Sequence, residues 1–452
     1  MSILKSIRDG IKPTQVLTYG FLSVILIGAL LLMLPISTNN GGLTLLQAIF
    51  TATSATCVTG LVVVDTGTYF TSFGQLVILI MIQLGGLGFM TFATFLFIAL
   101  GKKISLKERM TMAESLGESR LQGIVKLAVN ILKLTFLLEL FGAFLLSFRF
   151  IPIYGLTKGI WYSIFHSVSA FCNAGFDLIG GYASFTSYNG DPLFMLTIMS
   201  LVIIGGLGFA VIVDVFRKRS FMKLRVHSKV VLVMTLVLII SGTVLFYLFE
   251  YDNPSTLANL NFPQQLLASA FQSVTTRTAG FNTIDQFSLT DSSKLLSVIL
   301  MFIGGAPSGT AGGIKVSTIA VMFFITISLI RRHGDVEIFE KRLSVGIIRK
   351  AVSIFIIALT VLIIAVMMIS SVENGTLVGQ SGFLNILFET ASAIGTVGLS
   401  TGVTLQASNL TLMIMCALMF LGRVGLLTVV FALGSRAGES RIKYPEEDVM
   451  VG

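Results

Sequence analysis

The chain has 452 residues, 54% of them hydrophobic and only 12% charged, whereas a water-soluble protein carries about a quarter charged residues. Lys and Arg outnumber Asp and Glu by 31 to 22, but the basic residues cluster between long charge-free windows, a pattern of membrane topology and not of nucleic-acid binding. Composition excludes a soluble domain and leaves an all-α polytopic membrane protein embedded in a lipid bilayer.

In chain order, a basic N-terminus (1–14, with Lys5, Arg8 and Lys12) precedes an apolar segment at 15–34. Leu34-Pro35-Ile36 follows it in place of a small-residue cleavage site, so the segment is expected to be a retained helix and not a signal peptide. A short apolar piece at 44–56 leads into TSATCVTGL (53–61), and a second long segment runs over 73–100. The pattern recurs three times. Segments 124–148 and 193–216 flank a short piece at 159–171 and VSAFCNAGF (168–176). Segments 228–249 and 295–330 flank 264–276 and SVTTRTAGF (273–281). Segments 350–369 and 409–434 flank 383–394 and ASAIGTVGL (391–399). A span needs roughly 20 apolar residues, so the long segments are read as transmembrane helices and the short ones as re-entrant.

Basic residues group at 5–12, 102–126, 217–229, 331–350 and 436–443, with only Lys133, Arg149, Lys158, Arg277, Lys294, Lys315 and Arg423 between them, and the turns at 35–43, 62–72, 177–192, 250–263, 282–293 and 371–382 carry acids or no charge. The positive-inside rule then places all five groups, and both termini, in the cytoplasm. Each repeat leaves the cytoplasm and returns, so all four are parallel. The expected fold is four helix–pore loop–helix repeats around a central pore, with eight transmembrane helices and four re-entrant pore helices. Their limits are 15–101, 102–217, 218–332 and 333–435, followed by a cytoplasmic C-terminus at 436–452.

The loop glycines Gly60, Gly175, Gly280 and Gly398 lie 115, 105 and 118 residues apart. A second marker (Gly85-Gly86, Gly205-Gly206, Gly304-Gly305, Gly422-Arg423) follows each by 24–30 residues. One such glycine would mean only close helix packing; four in step mean an internal repeat. Four equivalent turns facing one axis would form a ring of backbone carbonyls able to replace a cation's hydration shell. The expected ligands are the backbones of Val58, Thr59 and Gly60; Asn173, Ala174 and Gly175; Thr278, Ala279 and Gly280; and Thr396, Val397 and Gly398. The last set matches the start of the potassium-channel sequence TVGYG, without its second glycine. Each pore helix would aim its negative C-terminal end at the ring.

For the first two repeats, close packing is the favoured reading of the second marker. The third differs: Gly304, Gly305, Ala306, Pro307, Ser308, Gly309, Thr310, Ala311, Gly312 and Gly313 cannot form a comfortable helix interior. Irregular backbone at membrane depth must line a cavity or be buried in protein, so 304–313 is a small, flexible candidate gate below the ring, with a structural kink as the alternative. Arg423, in mid-span, needs an acceptor: either carbonyls of the broken third segment or an acid such as Glu389. Lys315 either snorkels to water or lines the lower pore. Arg277 is expected to anchor its loop from behind, by way of an acid. No pair is assigned to Lys133 and Glu139.

No catalytic constellation is visible. Cys57, Cys172 and Cys416 form no disulfide framework, and His166, His227 and His333 lack metal-ligand spacing. His166 reads as a hydrogen-bonded structural residue. No nucleotide-binding glycine loop is present, so no tightly bound cofactor and no enzyme activity are expected.

With four pore loops, one glycine in each and a broken third inner helix, the chain resembles the Trk/Ktr/HKT superfamily of potassium and sodium transporters over about 15–435, and within it the membrane-spanning Ktr subunits of bacteria. The resemblance implies potassium uptake through a selective pore in the bacterial plasma membrane, with K+ as substrate at the filter carbonyls and sodium as a candidate activator. The alternative is a sodium or mixed sodium/potassium alternating-access carrier. The resemblance further implies four filter glycines accompanying potassium selectivity, an intramembrane gating loop at 304–313, a basic gate residue at Arg423, a homodimer, and a separate cytoplasmic ring of nucleotide-binding regulatory subunits. The basic loops at 102–126, 217–229 and 331–350 either dock that ring or only set topology. The second loop, Cys172-Asn173-Ala174-Gly175, lacks hydroxyl side chains, so the filter is expected to be only approximately symmetric.

Overall fold

The computed structural model describes residues 13–39, 41–88, 104–115, 122–332, 334–375, 382–425 and 428–429. The terminal segments 1–12 and 430–452, His333, and the expected continuation of the second span through 89–103 lie outside the described residues. The helices are α1 (Pro13–Leu32), α2 (Leu45–Thr56), α3 (Ser72–Leu87), α4 (Leu106–Ser115), α5 (Ile124–Tyr154), α6 (Leu156–Phe171), α7 (Pro192–Gly206), α8 (Phe209–Lys218), α9 (Val226–Glu250), α10 (Phe262–Thr275), α11 (Asp291–Phe302), α12 (Val316–Ile330), α13 (Val345–Val372), α14 (Phe383–Gly395) and α15 (Asn409–Val424). A two-stranded hairpin, β1 (Glu337–Ile338) with β2 (Lys341–Arg342), joins α12 to α13.

The eight expected spans fall into two kinds. The first helix of each repeat (α1, α5, α9, α13) is continuous and long enough to cross a membrane. Its outer face carries exposed apolar side chains, such as Leu137, Leu140 and Phe141 on α5 and Met367 on α13, suited to lipid. The second helices are interrupted: the break expected within 295–330 is present, while 73–100, 193–216 and 409–434, expected as single spans, are broken as well. Helix α3 ends at Gly88, α7 turns through 97° into α8 at Gly208, and α15 ends at Gly425. These three glycines have φ of 82°, 86° and 95° with ψ of 132°, 136° and 127°, a region essentially closed to residues with a Cβ. Each stands three residues after the marker glycine Gly85, Gly205 or Gly422. In the third repeat the break widens into the segment between Phe302 and Val316.

The short pieces are re-entrant helices α2, α6, α10 and α14. Thr44 with Gln47, and Asn261 with Gln264, form reciprocal capping boxes that start α2 and α10. All four inner helices start on a side-chain cap, from Thr71, Asp191, Thr290 and Ser408. Each inner helix packs on the pore helix of the next repeat: α3 on α6, α7 on α10, α11 on α14 and α15 back on α2. That cyclic order closes the four repeats into a ring about one axis.

Candidate functional site

At the ring's centre, each pore helix runs into its glycine turn. The glycine and the residue two before it both have positive φ: Val58 (56°) and Gly60 (95°), Asn173 (59°) and Gly175 (70°), Thr278 (69°) and Gly280 (81°), Thr396 (50°) and Gly398 (92°). The residues between them, Thr59, Ala174, Ala279 and Val397, do not. Alternating hand turns consecutive carbonyls toward one side, whereas an ordinary extended chain points them to opposite sides. It is costly, because a left-handed non-glycine residue loses about 1–2 kcal/mol, and Val58 and the two threonines are β-branched as well. Four copies of one unfavourable conformation at one place mark a candidate functional site.

The turns touch in sequence. A Cβ on Gly60 would fall 2.6 Å from the carbonyl oxygen of Ala174, and one on Gly175 would fall 3.0 Å from that of Ala279. On Gly280 it would come closer to the carbonyl of Val397, and on Gly398 closest of all, to that of Thr59. Each glycine thus abuts the carbonyl preceding the next glycine, and the fourth returns to the first. All twelve expected residues lie in these four turns, and the glycines with the residues just before them make the ring's contacts.

Backbone N–H groups of the turns are consumed behind it. Thr59 donates to the Ser54 carbonyl (2.8 Å), Ala174 to Ser169 (2.7 Å), Ala279 to Thr275 (2.9 Å) and Val397 to Ser392 (2.8 Å). Hydroxyls add a second tie. Ser54 accepts from the Gly60 N–H (3.1 Å) and Ser392 from the Gly398 N–H (3.0 Å), while Ser169 and Thr275 donate to the carbonyls of Phe176 and Phe281. The sequence reading missed these hydroxyls. Their signal was a serine six residues before three of the four loop glycines, with Val274 in the third repeat and Thr275 beside it as the substitute.

The marker glycines are packing devices, as expected for the first two repeats. A Cβ on Gly85, Gly205 or Gly422 would strike the carbonyl of Thr56, Phe171 or Ile394, each in the last turn or cap of that repeat's own pore helix. Residues 304–313 are tied to their neighbours at several points. Ile303 and Ile314 form a parallel bridge that closes the loop's base. The N–H groups of Ala306 and Thr310 donate to the carbonyls of Gly206 (2.9 Å) and Gly205 (3.2 Å), and Ser308 accepts from Phe209 (3.1 Å). The loop therefore docks on the α7–α8 break while Gly312 packs directly on Thr396 of the fourth filter turn.

Arg423 finds carbonyls, not an acid. Its guanidinium donates to Thr310 of the loop and to Gly85 and Gly86 of α3, joining three repeats below the ring. The Glu389 alternative is excluded, because that carboxylate is occupied on the outer side, accepting from Ser400, Thr404 and the N–H groups of Thr401 and Val403. Lys315 lines the lower cavity and donates to the loop carbonyls of Ala311 (2.7 Å) and Gly312 (3.4 Å). Arg277 lies behind its turn and reaches only the Thr235 carbonyl at 3.5 Å; no ion pair to it exists among the described residues, which corrects the expected acid. His166 is structural: its Nε2 accepts from the Leu178 N–H (3.0 Å), so Nδ1 carries the proton and donates to the Tyr162 carbonyl (2.7 Å). Buried Glu139 was also missed as a contact; it accepts from Gln83 (3.1 Å) and not from Lys133.

Two cavities flank this constriction. The outer one, about 270 Å³, has the four loop glycines among its lining and carries Asp65, Asp177 and Asp285. Burial pushes the Asp177 carboxyl up to about 6 against an opposing hydrogen bond from the Ile179 N–H, and the nearby Asp65 carboxylate adds to the rise. The inner cavity, about 380 Å³, is lined by Pro307, Ser308 and Gly309 of the loop together with Lys315, Lys350 and Arg423.

The sequence matches the TrkH family of cation transport proteins over residues 7–436. It is 42% identical over 450 residues to Ktr system potassium uptake protein B of Bacillus subtilis, covering 100% of this chain and 98% of that protein. It is 39% identical to the potassium/sodium uptake protein NtpJ of Enterococcus hirae, with 100% of each chain covered. The crystal structure of the potassium transporter TrkH from Vibrio parahaemolyticus superposes with a TM-score of 0.70 over 92% of this chain and 85% of that one, at 17% identity. That last likeness concerns the fold.

Proposed function

Because this chain belongs to the TrkH family of cation transport proteins, a family of transporters and not of enzymes, we propose that it takes up potassium through one selective pore per chain, with the four glycine turns as filter. The observation that carries this reading is the closed ring in which each loop glycine abuts the carbonyl before the next. Carbonyls held by a rigid hydrogen-bonded backing can replace a hydration shell without reorganising, and four pore-helix C-termini add their negative ends. Residues 304–313, docked beneath the ring and clamped by Arg423, act as the gate. A rocking carrier would need two inward- and outward-facing halves, whereas these repeats are parallel and cyclic.

The proposal extends to a bacterial plasma membrane with both termini cytoplasmic, to a homodimer, and to a cytoplasmic nucleotide-binding subunit acting on the loop. It is supported by the basic clusters and by relatives named as parts of a Ktr system. A second reading, mixed potassium and sodium conduction, is favoured by the name of the Enterococcus relative. Radioactive rubidium uptake into proteoliposomes, with excess potassium or sodium as competitor, tests both. Block by potassium alone is expected. Equal block by the two ions would replace selective uptake by the mixed reading, and slow, saturable exchange in either case would favour a carrier.

A further inference from the structure

The second filter turn departs from the others in one side chain. The residue two before the glycine is Val58, Thr278 or Thr396 elsewhere, and Asn173 here. Asparagine tolerates the left-handed conformation better than β-branched residues do, so backbone preference alone could account for it. Its surroundings say more. The amide, with its nitrogen turned to the available acceptors, donates among the carbonyls of Phe171 (3.3 Å), Ala170 (3.3 Å) and Val202 (3.2 Å) and the Thr310 hydroxyl (3.3 Å). The other end of the amide lies 3.4 Å from the Thr278 hydroxyl of the third filter turn. Asn173 is 1% exposed, and Thr278 and Thr310 are fully buried.

Thr310 is the counterpart in the loop. Its hydroxyl donates to the Phe171 carbonyl (3.1 Å) at the end of pore helix α6, its N–H donates to the Gly205 carbonyl (3.2 Å), and its carbonyl accepts from Arg423. One residue thus joins the Arg423 clamp, the α7 break and the second filter turn. A loop serving only as a plug needs bulk below the ring; it does not need a hydroxyl inserted into the hydrogen bonds that hold the ring's backing.

We propose that Asn173 is a specificity-positioning residue whose side-chain amide, tied to Thr310 of the intramembrane loop, makes ion discrimination depend on the loop as well as flux. When the loop leaves, the amide loses one of its four acceptors and the Phe171 carbonyl loses the Thr310 hydroxyl, so the two amide protons redistribute among the carbonyls of Ala170, Phe171 and Val202. The second turn, and through Thr278 the third, then settles into a different set of bonds. Resting on the filter reading above, this predicts a ring held tightest while the gate is shut and changed in selectivity when it opens.

The test uses the full-length chain in proteoliposomes, with rubidium flux and potassium-over-sodium competition measured on the same preparations. Thr310→Val removes the hydroxyl at nearly constant shape. Asn173→Gly keeps a residue content with positive φ and removes only the amide. Both are expected to lower discrimination by roughly fivefold or more, the lower end of ordinary coupling between two sites, with non-additive effects in the double variant. Thr310→Ser should behave as the parent, and it keeps the comparison meaningful if the valine variant does not fold. Higher flux with unchanged discrimination in Thr310→Val would overturn the coupling and leave a plug. An Asn173→Gly protein as selective as the parent would overturn it too, leaving backbone tolerance as the reason for asparagine. If the unaltered chain does not prefer potassium, the filter reading itself fails, a distinct outcome that removes the inference with it.

Discussion

Two adjacent layers of this pore obey opposite rules. In the proposed filter, four turns share one alternating backbone, one glycine contact passed from repeat to repeat, and a backbone N–H tie to the pore helix. Immediately below, the repeats divide the work. The third supplies the loop, the fourth supplies Arg423, the first supplies the carbonyls of Gly85 and Gly86, and the second supplies the α7–α8 break on which the loop rests. A cation on an axis is best held by equivalent ligands from all sides, which favours fourfold repetition. An obstruction need come from one side only, and four copies could not move independently in the same space. On the proposed reading, duplication serves the layer that binds, and divergence serves the layer that closes.

The sharpest way to break this comparison is to perturb the filter one repeat at a time. Gly398→Ala should be the most damaging substitution, because its φ is 92° and its Cβ would collide with the Thr59 carbonyl. Potassium-over-sodium competition should fall by at least about tenfold, the equivalent of roughly 1.4 kcal/mol. Gly175→Ala, with 3.0 Å to the Ala279 carbonyl, should do the least of the four. Equal losses at both positions would mean that the ring relaxes as a unit. Next in size is Arg423→Gln. Releasing the Thr310 carbonyl should raise basal rubidium flux several-fold, while the freed buried carbonyls cost about 1–3 kcal/mol of stability. A variant that loses thermal stability with no rise in flux would make Arg423 a strut and not a clamp.

A third, smaller effect concerns the backing. Ser392→Ala removes the acceptor of the Gly398 N–H, and Ser169→Ala removes a donor to the Phe176 carbonyl. The first should weaken discrimination more, because it strands a buried N–H beside the ring, whereas a carbonyl is more tolerant of losing one donor. The two variants compared by sodium competition would reverse that order if the second turn were the more strained.

The layer proposed as filter was legible because repetition amplifies weak signals. One TVG is ambiguous; four glycines in register, each after an apolar piece too short to span, are not. The same logic would have found the serines behind the ring and the glycines at 88, 208 and 425, had the repeats been aligned residue by residue. The layer proposed as gate was legible only in part. Ten consecutive small or helix-breaking residues at 304–313 announce a break, and the marooned charge of Arg423 demands acceptors. Which acceptors it finds depends on how repeats separated by hundreds of residues meet, and no local pattern encodes that. Arg277 shows the same limit, since the rule that a buried charge is paired suggested an acid where the fold offers the Thr235 carbonyl.

The outer vestibule extends the comparison upward, and its effect should be the smallest. Asp65 and Asp285 stand five residues after Gly60 and Gly280, Asp177 two residues after Gly175, and the fourth repeat has Ser400 and Val403 at those places. Symmetry has thus already lapsed above the ring. Asp65 and Asp285 also hold their loops, accepting from the N–H groups of Thr68 and Ser288, so their presence alone does not imply a role in transport. Asn keeps one acceptor oxygen and removes the charge, which separates the two functions. Asp65→Asn with Asp285→Asn should slow uptake at low potassium and low ionic strength by a few-fold, because a charged mouth raises the local cation concentration. Added salt should erase the difference, since the Debye length shrinks to about 3 Å near 1 M. Discrimination between potassium and sodium should not change, because long-range attraction cannot distinguish two monovalent ions. A selectivity change that survives high salt would instead assign these carboxylates to the shape of the filter.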